Sequence, residues 1–132
     1  MTAIDKIALL HLVDRGLLAA RSHGHDAFYL PGGKRDPGES DVDTLVRELA
    51  EELGVTVDPA TARPAGTWQA QAHGKPDGVV VRLTCYTADY TGTPVASSEI
   101  AELAWLTHAD RDRASATAQL VLDDLHARGL LA

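Results

Sequence analysis

The sequence predicts an α/β sandwich in which helices cover a sheet. Apolar runs with the length of strands alternate with turn signals, and two segments carry apolar residues at helical spacing. The chain has 132 residues, of which 45% are hydrophobic and 23% are charged. This size and balance are typical of one globular domain, so we expect a single domain over residues 1–132.

The strands are predicted from apolar runs bounded by turn residues. Residues 4–13 are rich in Ile, Leu and Val, and the turn Asp14-Arg15-Gly16 separates them from a returning strand at 17–21. A short extended piece is expected at 56–58, after the first helix. Further strands are predicted at 67–72, 79–90 and 103–106.

The clearest helix is predicted over residues 41–53. Ser40 is a suitable N-cap, Asp43 three residues later completes a capping-box pattern, and Gly54 is a natural terminator. The apolar residues of one helical face are Val42, Leu45, Val46, Leu49 and Leu53. A second amphipathic helix is predicted from about residue 114 to residue 128.

Charge and composition exclude several function classes. The formal net charge is −7, so the surface repels a nucleic-acid backbone, and we expect no nucleic-acid partner. A small phosphorylated ligand remains compatible, because a divalent metal can neutralise the local field. Cys85 is the single cysteine, which indicates a buried structural residue and no intrachain disulfide. The chain lacks a signal-peptide pattern and an apolar run near the ~20 residues of a membrane span. We therefore expect a cytoplasmic protein without a membrane partner.

The predicted helix also has an acidic face. Glu48, Glu51 and Glu52 stand at i, i+3 and i+4, where like charges destabilise a helix, and they lie near its C-terminal end, where the dipole disfavours anions. A bound hard cation such as Mg²⁺ would account for this arrangement. Taken alone, three glutamates on a helix are more typical of an ordinary solvated face.

The residues around the helix follow the spacing G-x5-E-x7-R-E-U-x-E-E-x-G-U, where U is aliphatic. The matching residues are Gly33, Glu39, Arg47, Glu48, Leu49, Glu51, Glu52, Gly54 and Val55. This pattern is the Nudix box, and the chain resembles the Nudix (MutT-like) hydrolases. The resemblance implies an α/β/α sandwich with a mixed β-sheet between helices. It also implies an Mg²⁺-dependent hydrolase, with Mn²⁺ as an alternative metal, that cuts a phosphoanhydride bond in a nucleotide-like substrate.

The same resemblance implies roles for individual residues. Glu48, Glu51 and Glu52 are expected as metal ligands, with Glu39 as a supporting or water-mediated ligand. Arg47 is expected to pair with a glutamate of the box and to orient it. The general base is either a box glutamate, Glu51 or Glu52, or one from a later loop. For the later loop, Glu99 is the first candidate and Glu102 the second.

Candidates for substrate contact are weaker. Gly32 and Gly33 permit a backbone turn that residues with a Cβ would resist. Phe28, Tyr29 and Trp68 could stack on a nucleobase, although each is also compatible with the core. His73 and Lys75 lie in a loop that could reach a phosphate or a base, or that is an ordinary polar hairpin. His23 and His25 are expected in a solvated loop.

The substrate is inferred from the resemblance by elimination. After the box, the ADP-ribose subfamily tends to carry a proline where this chain has Ala70, and the diadenosine-polyphosphate subfamily tends to carry a tyrosine where it has Gln71, Ala72 and His73. A nucleoside triphosphate, oxidised or non-standard, is therefore the leading expectation. ADP-ribose or a nucleotide sugar, and a non-catalytic nucleotide sensor, are the alternatives. Homodimers are common among proteins resembling this one.

Overall fold

The computed structural model describes residues 2–72, 75–76 and 78–132. The strands are β1 (Thr2–Leu9), β2 (Leu12–Val13), β3 (Gly16–Ser22), β4 (Gly32–Lys34), β5 (Thr56–Val57), β6 (Arg63–Gln71), β7 (Val79–Thr87), β8 (Tyr90–Thr91) and β9 (Ile100–Leu106). The helices are α1 (Asp41–Leu53) and α2 (Ala116–Ala127), with short 3-10 turns at Pro59–Thr61 and His108–Arg113.

The main sheet is mixed and has the strand order β4-β1-β7-β6. β1 and β7 are parallel, whereas β4 and β6 add to them in antiparallel orientation. Successive residues of β1 point to opposite faces, so Ile7 packs with α1 and Ala8 packs with α2. The mixed sheet thus lies between the two helices, which confirms the predicted α/β/α sandwich.

A second, antiparallel sheet has the order β2-β3-β9, and β5 pairs with β8. Leu17 of β3 joins the core cluster of α2, while its neighbour Leu18 joins that of α1. The second sheet therefore contributes to both cores. Cys85 of β7 is fully buried, as predicted, and this burial raises the pKa of its thiol to about 12.

Helix α1 has the predicted bounds because its ends are capped as the sequence indicates. The Ser40 side chain accepts a hydrogen bond from the Asp43 N–H, and the Asp43 carboxylate accepts one from the Ser40 N–H. Gly54 closes the helix in the left-handed conformation, with φ of 68°. The second helix begins two residues later than predicted, at Ala116, because Ser115 is its N-cap.

One predicted strand is divided in the structure. Residues 4–13 form β1 and then β2, because β2 leaves the main sheet and pairs with β3 through Leu12 and Leu17. The turn between β2 and β3 has positive φ at both Asp14 and Arg15, the geometry of a tight two-residue hairpin. In the part of the chain that the structure describes, neither helix is long and apolar enough to cross a membrane.

Candidate active site

The site is built where α1 approaches β4. Gly32 and Gly33 of β4 pair with Ala8 and Ile7 of β1. A Cβ added to Gly32 would stand 1.9 Å from the Ile7 carbonyl oxygen, and one added to Gly33 would stand 2.5 Å from Oε1 of Glu48. Glycine is therefore required at Gly32, whereas a side chain at Gly33 would displace the Glu48 carboxylate from the strand.

Glu52 is the most deeply placed carboxylate of the site. It is 2% exposed, and its Oε1 accepts a hydrogen bond of 2.9 Å from the Gly32 N–H. Burial raises the pKa of Glu52 to about 8, and the neighbouring charges of Glu48 and Glu99 add to this shift. Its carboxylate is thus poised to exchange a proton near neutral pH.

Glu48 lies against Gly33 and is also largely buried, with 13% of its side chain exposed. Burial raises the pKa of Glu48, whereas the hydrogen bond of 2.8 Å from Arg47 to its Oε1 opposes this shift. Glu51, by contrast, has 55% of its side chain exposed and lies 3.6 Å from Arg47. Glu48 and Glu52 thus form the buried part of the acidic face, and Glu51 forms its solvent side.

Arg47 and Glu39 form a bidentate ion pair beside these carboxylates. The Nε and Nη2 atoms of Arg47 donate to Oε2 and Oε1 of Glu39 at 2.7 and 2.8 Å. Glu39 also accepts hydrogen bonds from the Asp36 N–H and the Thr44 hydroxyl. These bonds, that of Arg47 first, lower the pKa of Glu39 to about 2. Arg47 is therefore hydrogen-bonded to two box glutamates, Glu39 and Glu48.

Of the two glutamates proposed from the later loop, the structure brings Glu99 to the cluster. Its charge contributes to the raised pKa of both Glu48 and Glu52. The loop before it is tied to the end of α1, since the Ser97 N–H donates to the Glu52 carbonyl oxygen at 3.0 Å. Glu102 instead forms an ion pair of 2.8 Å with Arg21.

Several expected substrate contacts are not brought to the cluster. Phe28 is 2% exposed and packs in the core, with the Arg113 guanidinium 4.9 Å from its ring centre, so the expectation that it stacks on a nucleobase is corrected. Trp68 is partly buried against the same core, over Gly66. Tyr29 is half-buried, and its hydroxyl is hydrogen-bonded to Ser22.

His73 lies outside the described residues, and its expected role stays a prediction. Lys75 is exposed in the hairpin between β6 and β7. That hairpin extends beyond Val79, which pairs with Thr2, whereas the carboxylates meet β1 near Ile7. Five strand residues separate the two places, which corresponds to about 17 Å. The structure therefore does not bring Lys75 to the carboxylates.

The sequence interpretation missed two lysines, Lys6 of β1 and Lys34 of β4. Lys6 and Lys34 are register partners, and the charges of Glu52, Glu48 and Glu99 all act on Lys6. A signal was present in the sequence: Lys6 is a cation within the apolar run 4–13. The run was interpreted only as a buried strand.

The donor chemistry of the cluster suits a hard cation. Glu48 and Glu52 each offer carboxylate oxygens in a site with little exposure, which is the type of ligand that Mg²⁺ prefers. Across residues 2–72, 75–76 and 78–132, no three His, Cys, Asp or Glu side chains already stand in an arrangement that would hold a metal ion. Arg47 holds Glu48 and Glu51 faces solvent, so binding would require these side chains to turn toward Glu52.

Comparisons with known proteins agree with this fold. The NUDIX domain family matches residues 5–125. The solution structure of the E. coli ORF135 protein has a TM-score of 0.74 and 26% identity, covering 96% of this chain and 91% of that chain. The MutT protein from Methanosarcina mazei Go1 has a TM-score of 0.76 and 20% identity, covering 97% and 96%.

A curated relative is named cleavage and polyadenylation specificity factor subunit 5, from Dictyostelium discoideum. It is 34% identical over 67 residues, which cover 44% of this chain and 32% of that protein. A second, the pre-mRNA cleavage factor Im 25 kDa subunit 1 of Arabidopsis thaliana, is matched over 24% of its length. The chain thus spans between about a quarter and a third of the length of these two curated relatives.

Proposed function

Because the chain belongs to the NUDIX domain family, we propose that it is an Mg²⁺-dependent pyrophosphohydrolase acting on a nucleoside triphosphate. The products would be a nucleoside monophosphate and pyrophosphate. The observation that carries the proposal is a pair of carboxylates, the buried Glu52 and the largely buried Glu48, packed on the Gly32–Gly33 backbone.

Glu48, Glu51 and Glu52 are the residues that would hold Mg²⁺, and Mn²⁺ would suit the same oxygen ligands. When bound, the metal ion would screen the phosphate charge and stabilise the leaving oxygen. Three carboxylates near one another are repulsive without a cation, and the raised pKa values of Glu48 and Glu52 reflect burial and this repulsion. The electrostatics of the site therefore favour a bound cation.

The other side chains would position the metal ligands or accept a proton. Arg47 fixes Glu48 through its hydrogen bond of 2.8 Å and is itself fixed by Glu39. The Glu52 carboxylate is held by the Gly32 N–H. In its ionised form it would accept a proton from the attacking water. Glu99, from the loop before β9, is the second candidate for this base. Glu52 and Glu99 would accept a proton from the same water. Comparing the turnover of a variant at each position therefore shows which one is the base.

The triphosphate is the leading substrate because the residues that mark other subfamilies are absent after the box, including the proline replaced by Ala70. ADP-ribose or a nucleotide sugar is the alternative substrate. A non-catalytic nucleotide-sensing module is the alternative function. Retention of every glutamate of the box supports the enzyme over the sensor.

The test is a substrate panel with Mg²⁺, assayed for phosphate release with and without added pyrophosphatase. For the sugar-linked and dinucleoside substrates, added alkaline phosphatase releases phosphate from the monoester products. The panel contains normal and oxidised nucleoside triphosphates, ADP-ribose, nucleotide sugars and dinucleoside polyphosphates. We expect turnover of a triphosphate, visible only with pyrophosphatase, that is lost in Glu52→Gln and kept in the matched control Glu102→Gln. Turnover of sugar-linked diphosphates alone would contradict the substrate. Nucleotide binding without any turnover would support the sensor.

A further inference from the structure

Two lysines stand directly opposite each other beside the carboxylates. Lys6 of β1 and Lys34 of β4 are partners in an antiparallel pair, so their side chains leave the same face of the sheet. Because successive strand residues alternate, these side chains leave the face opposite to that on which Glu48 packs against Gly33, two residues from the Gly32 N–H that holds Glu52. Like charges in this arrangement destabilise a sheet. The stability of the sheet therefore does not account for the pair.

The two ammonium groups are also without close ion partners. Within the described ranges, neither lysine has a carboxylate oxygen within 4.0 Å of its ammonium nitrogen, the limit for an ion pair. The nearby Asp5 is paired with Arg35 and Arg82 instead. Lys6 is only partly exposed, and burial and the charge of Lys34 lower its pKa. A pair of cations placed in this way is suited to an anion that carries more than one charge.

We propose that Lys6 and Lys34 bind the terminal phosphates of the substrate, so that the site selects nucleotides ending in a free phosphate. A terminal phosphate carries up to two negative charges near neutral pH. The second phosphate of a nucleotide sugar is bonded both to the sugar and to the first phosphate, so it carries only one. The lysine ammonium is a compact point charge that suits phosphate oxygens. The inference rests on the proposed function, since the lysines adjoin the same carboxylates, and it supplies a physical reason for preferring a triphosphate to a nucleotide sugar.

The surface next to the pair has room for such a chain. A shallow cavity of about 350 Å³ is lined by Lys34, Ala3, Ile4, Asp5 and Arg35. The cavity lies along the part of β1 that precedes Lys6. Ala8, the register partner of Gly32, lies on the other side of Lys6. A substrate cut at the carboxylates could therefore extend its remaining phosphates past the lysines.

The competing interpretation is that the lysines only neutralise the carboxylates. In that case, removing the Lys6 charge would lower the melting temperature and tighten Mg²⁺ binding, and it would change the turnover of all substrates in the same way. Binding of a phosphate chain would not depend on either lysine. The two interpretations thus differ in a measurement that does not require catalysis.

The experiment is a calorimetric titration of inorganic imidotriphosphate, whose P–N–P bridges resist cleavage, into the protein in Mg²⁺ buffer. We expect Lys6→Met and Lys34→Met each to weaken binding about tenfold, since each removes a charge-assisted contact. Lys6→Arg should retain most of the affinity. The control is Arg128→Met, which removes one cation from the end of α2 and should bind like the wild type. Melting curves verify that each variant is folded.

Steady-state kinetics then test the selectivity with two nucleotides that share the same base, UTP and UDP-glucose. For UTP, we expect Lys6→Met to raise KM about tenfold at unchanged kcat. For UDP-glucose, we expect no change in KM. Unaltered imidotriphosphate binding in Lys6→Met, or the same change in KM for both nucleotides, would overturn the inference. Absence of turnover in the wild type would instead contradict the proposed function, while the titration would still decide the role of the lysines.

Discussion

Glu39 and Glu52 belong to one motif and lie at opposite ends of the acidic cluster, yet their environments differ sharply. Glu39 accepts two hydrogen bonds from Arg47 and further ones from Asp36 and Thr44, and these lower its pKa to about 2. Glu52 is more deeply buried, accepts one hydrogen bond from Gly32, and has a pKa raised to about 8. Burial dominates at Glu52 and raises its pKa, whereas the hydrogen bonds, that of Arg47 first, dominate at Glu39 and lower its pKa.

This contrast separates a structural carboxylate from a reactive one. Glu39 is held ionised and its oxygens are occupied, so its part is to fix Arg47 and, through Arg47, Glu48. Glu52 keeps oxygen capacity for a cation or for a proton from water. The expected supporting role of Glu39 is compatible with this geometry, which makes it a positioning residue.

The largest expected effect is the loss of turnover when Glu52, the reactive carboxylate, is replaced. Glu52→Gln removes the carboxylate that we propose as base and metal ligand, so turnover should fall at least about 100-fold. The amide can still accept the Gly32 N–H, so the fold should be retained. Initial rates and circular dichroism spectra measure the two properties. Near-normal turnover in a folded variant would remove Glu52 from the catalytic machinery.

Breaking the ion pair between Arg47 and Glu39 should lower the stability of the fold. Arg47→Met removes the bidentate contact to Glu39 and the bond to Glu48, and we expect the free energy of unfolding to fall by about 2 kcal/mol. Arg128→Met is the control: it loses one exposed contact of 3.6 Å to Asp124 and should lose less than about 0.5 kcal/mol. Urea denaturation measures both. Equal losses in the two variants would show that the ion pair of Arg47 is no more stabilising than an exposed one.

A smaller effect on turnover is expected from the loop before β9. Glu99→Gln should lower turnover about tenfold, because Glu99 supplies charge at the cluster and Glu52 remains. Glu102→Gln should leave turnover unchanged, since Glu102 pairs with Arg21. Initial rates at saturating substrate compare them. A loss as large as that of Glu52→Gln would assign the base to Glu99.

The sequence predicted the helix of the site more accurately than its surroundings. The bounds of α1 followed from local rules, since Ser40, Asp43 and Gly54 act through their own backbone neighbours. The layer order also followed, because apolar periodicity defines which faces are buried. The surroundings of Lys6 and Phe28 could not be decided in this way, because they depend on strand register and on packing across the sheet. Local spacing does not encode those long-range contacts.

The contrast also predicts opposite responses of stability to pH. The folded-state pKa of Glu52 lies above the ordinary value of 4.5, so between pH 4.5 and 8 the folded state binds more protons than the unfolded state, and stability falls as pH rises. The pKa of Glu39 lies below 4.5, so its contribution is present above pH 4.5 and is lost as pH falls toward 2.

In EDTA, the melting temperature of the wild type should therefore fall between pH 5.5 and 8 by about 4 °C more than that of Glu52→Gln. Adding Mg²⁺ should raise it more at pH 8 than at pH 5.5, since ionised carboxylates are the ligands. Calorimetric melting curves of both proteins provide the comparison, and the other titrating groups cancel in the difference. Parallel curves in EDTA would mean that Glu52 is already ionised at pH 5.5, and the electrostatic difference between Glu52 and Glu39 would then be far smaller than their hydrogen bonding implies.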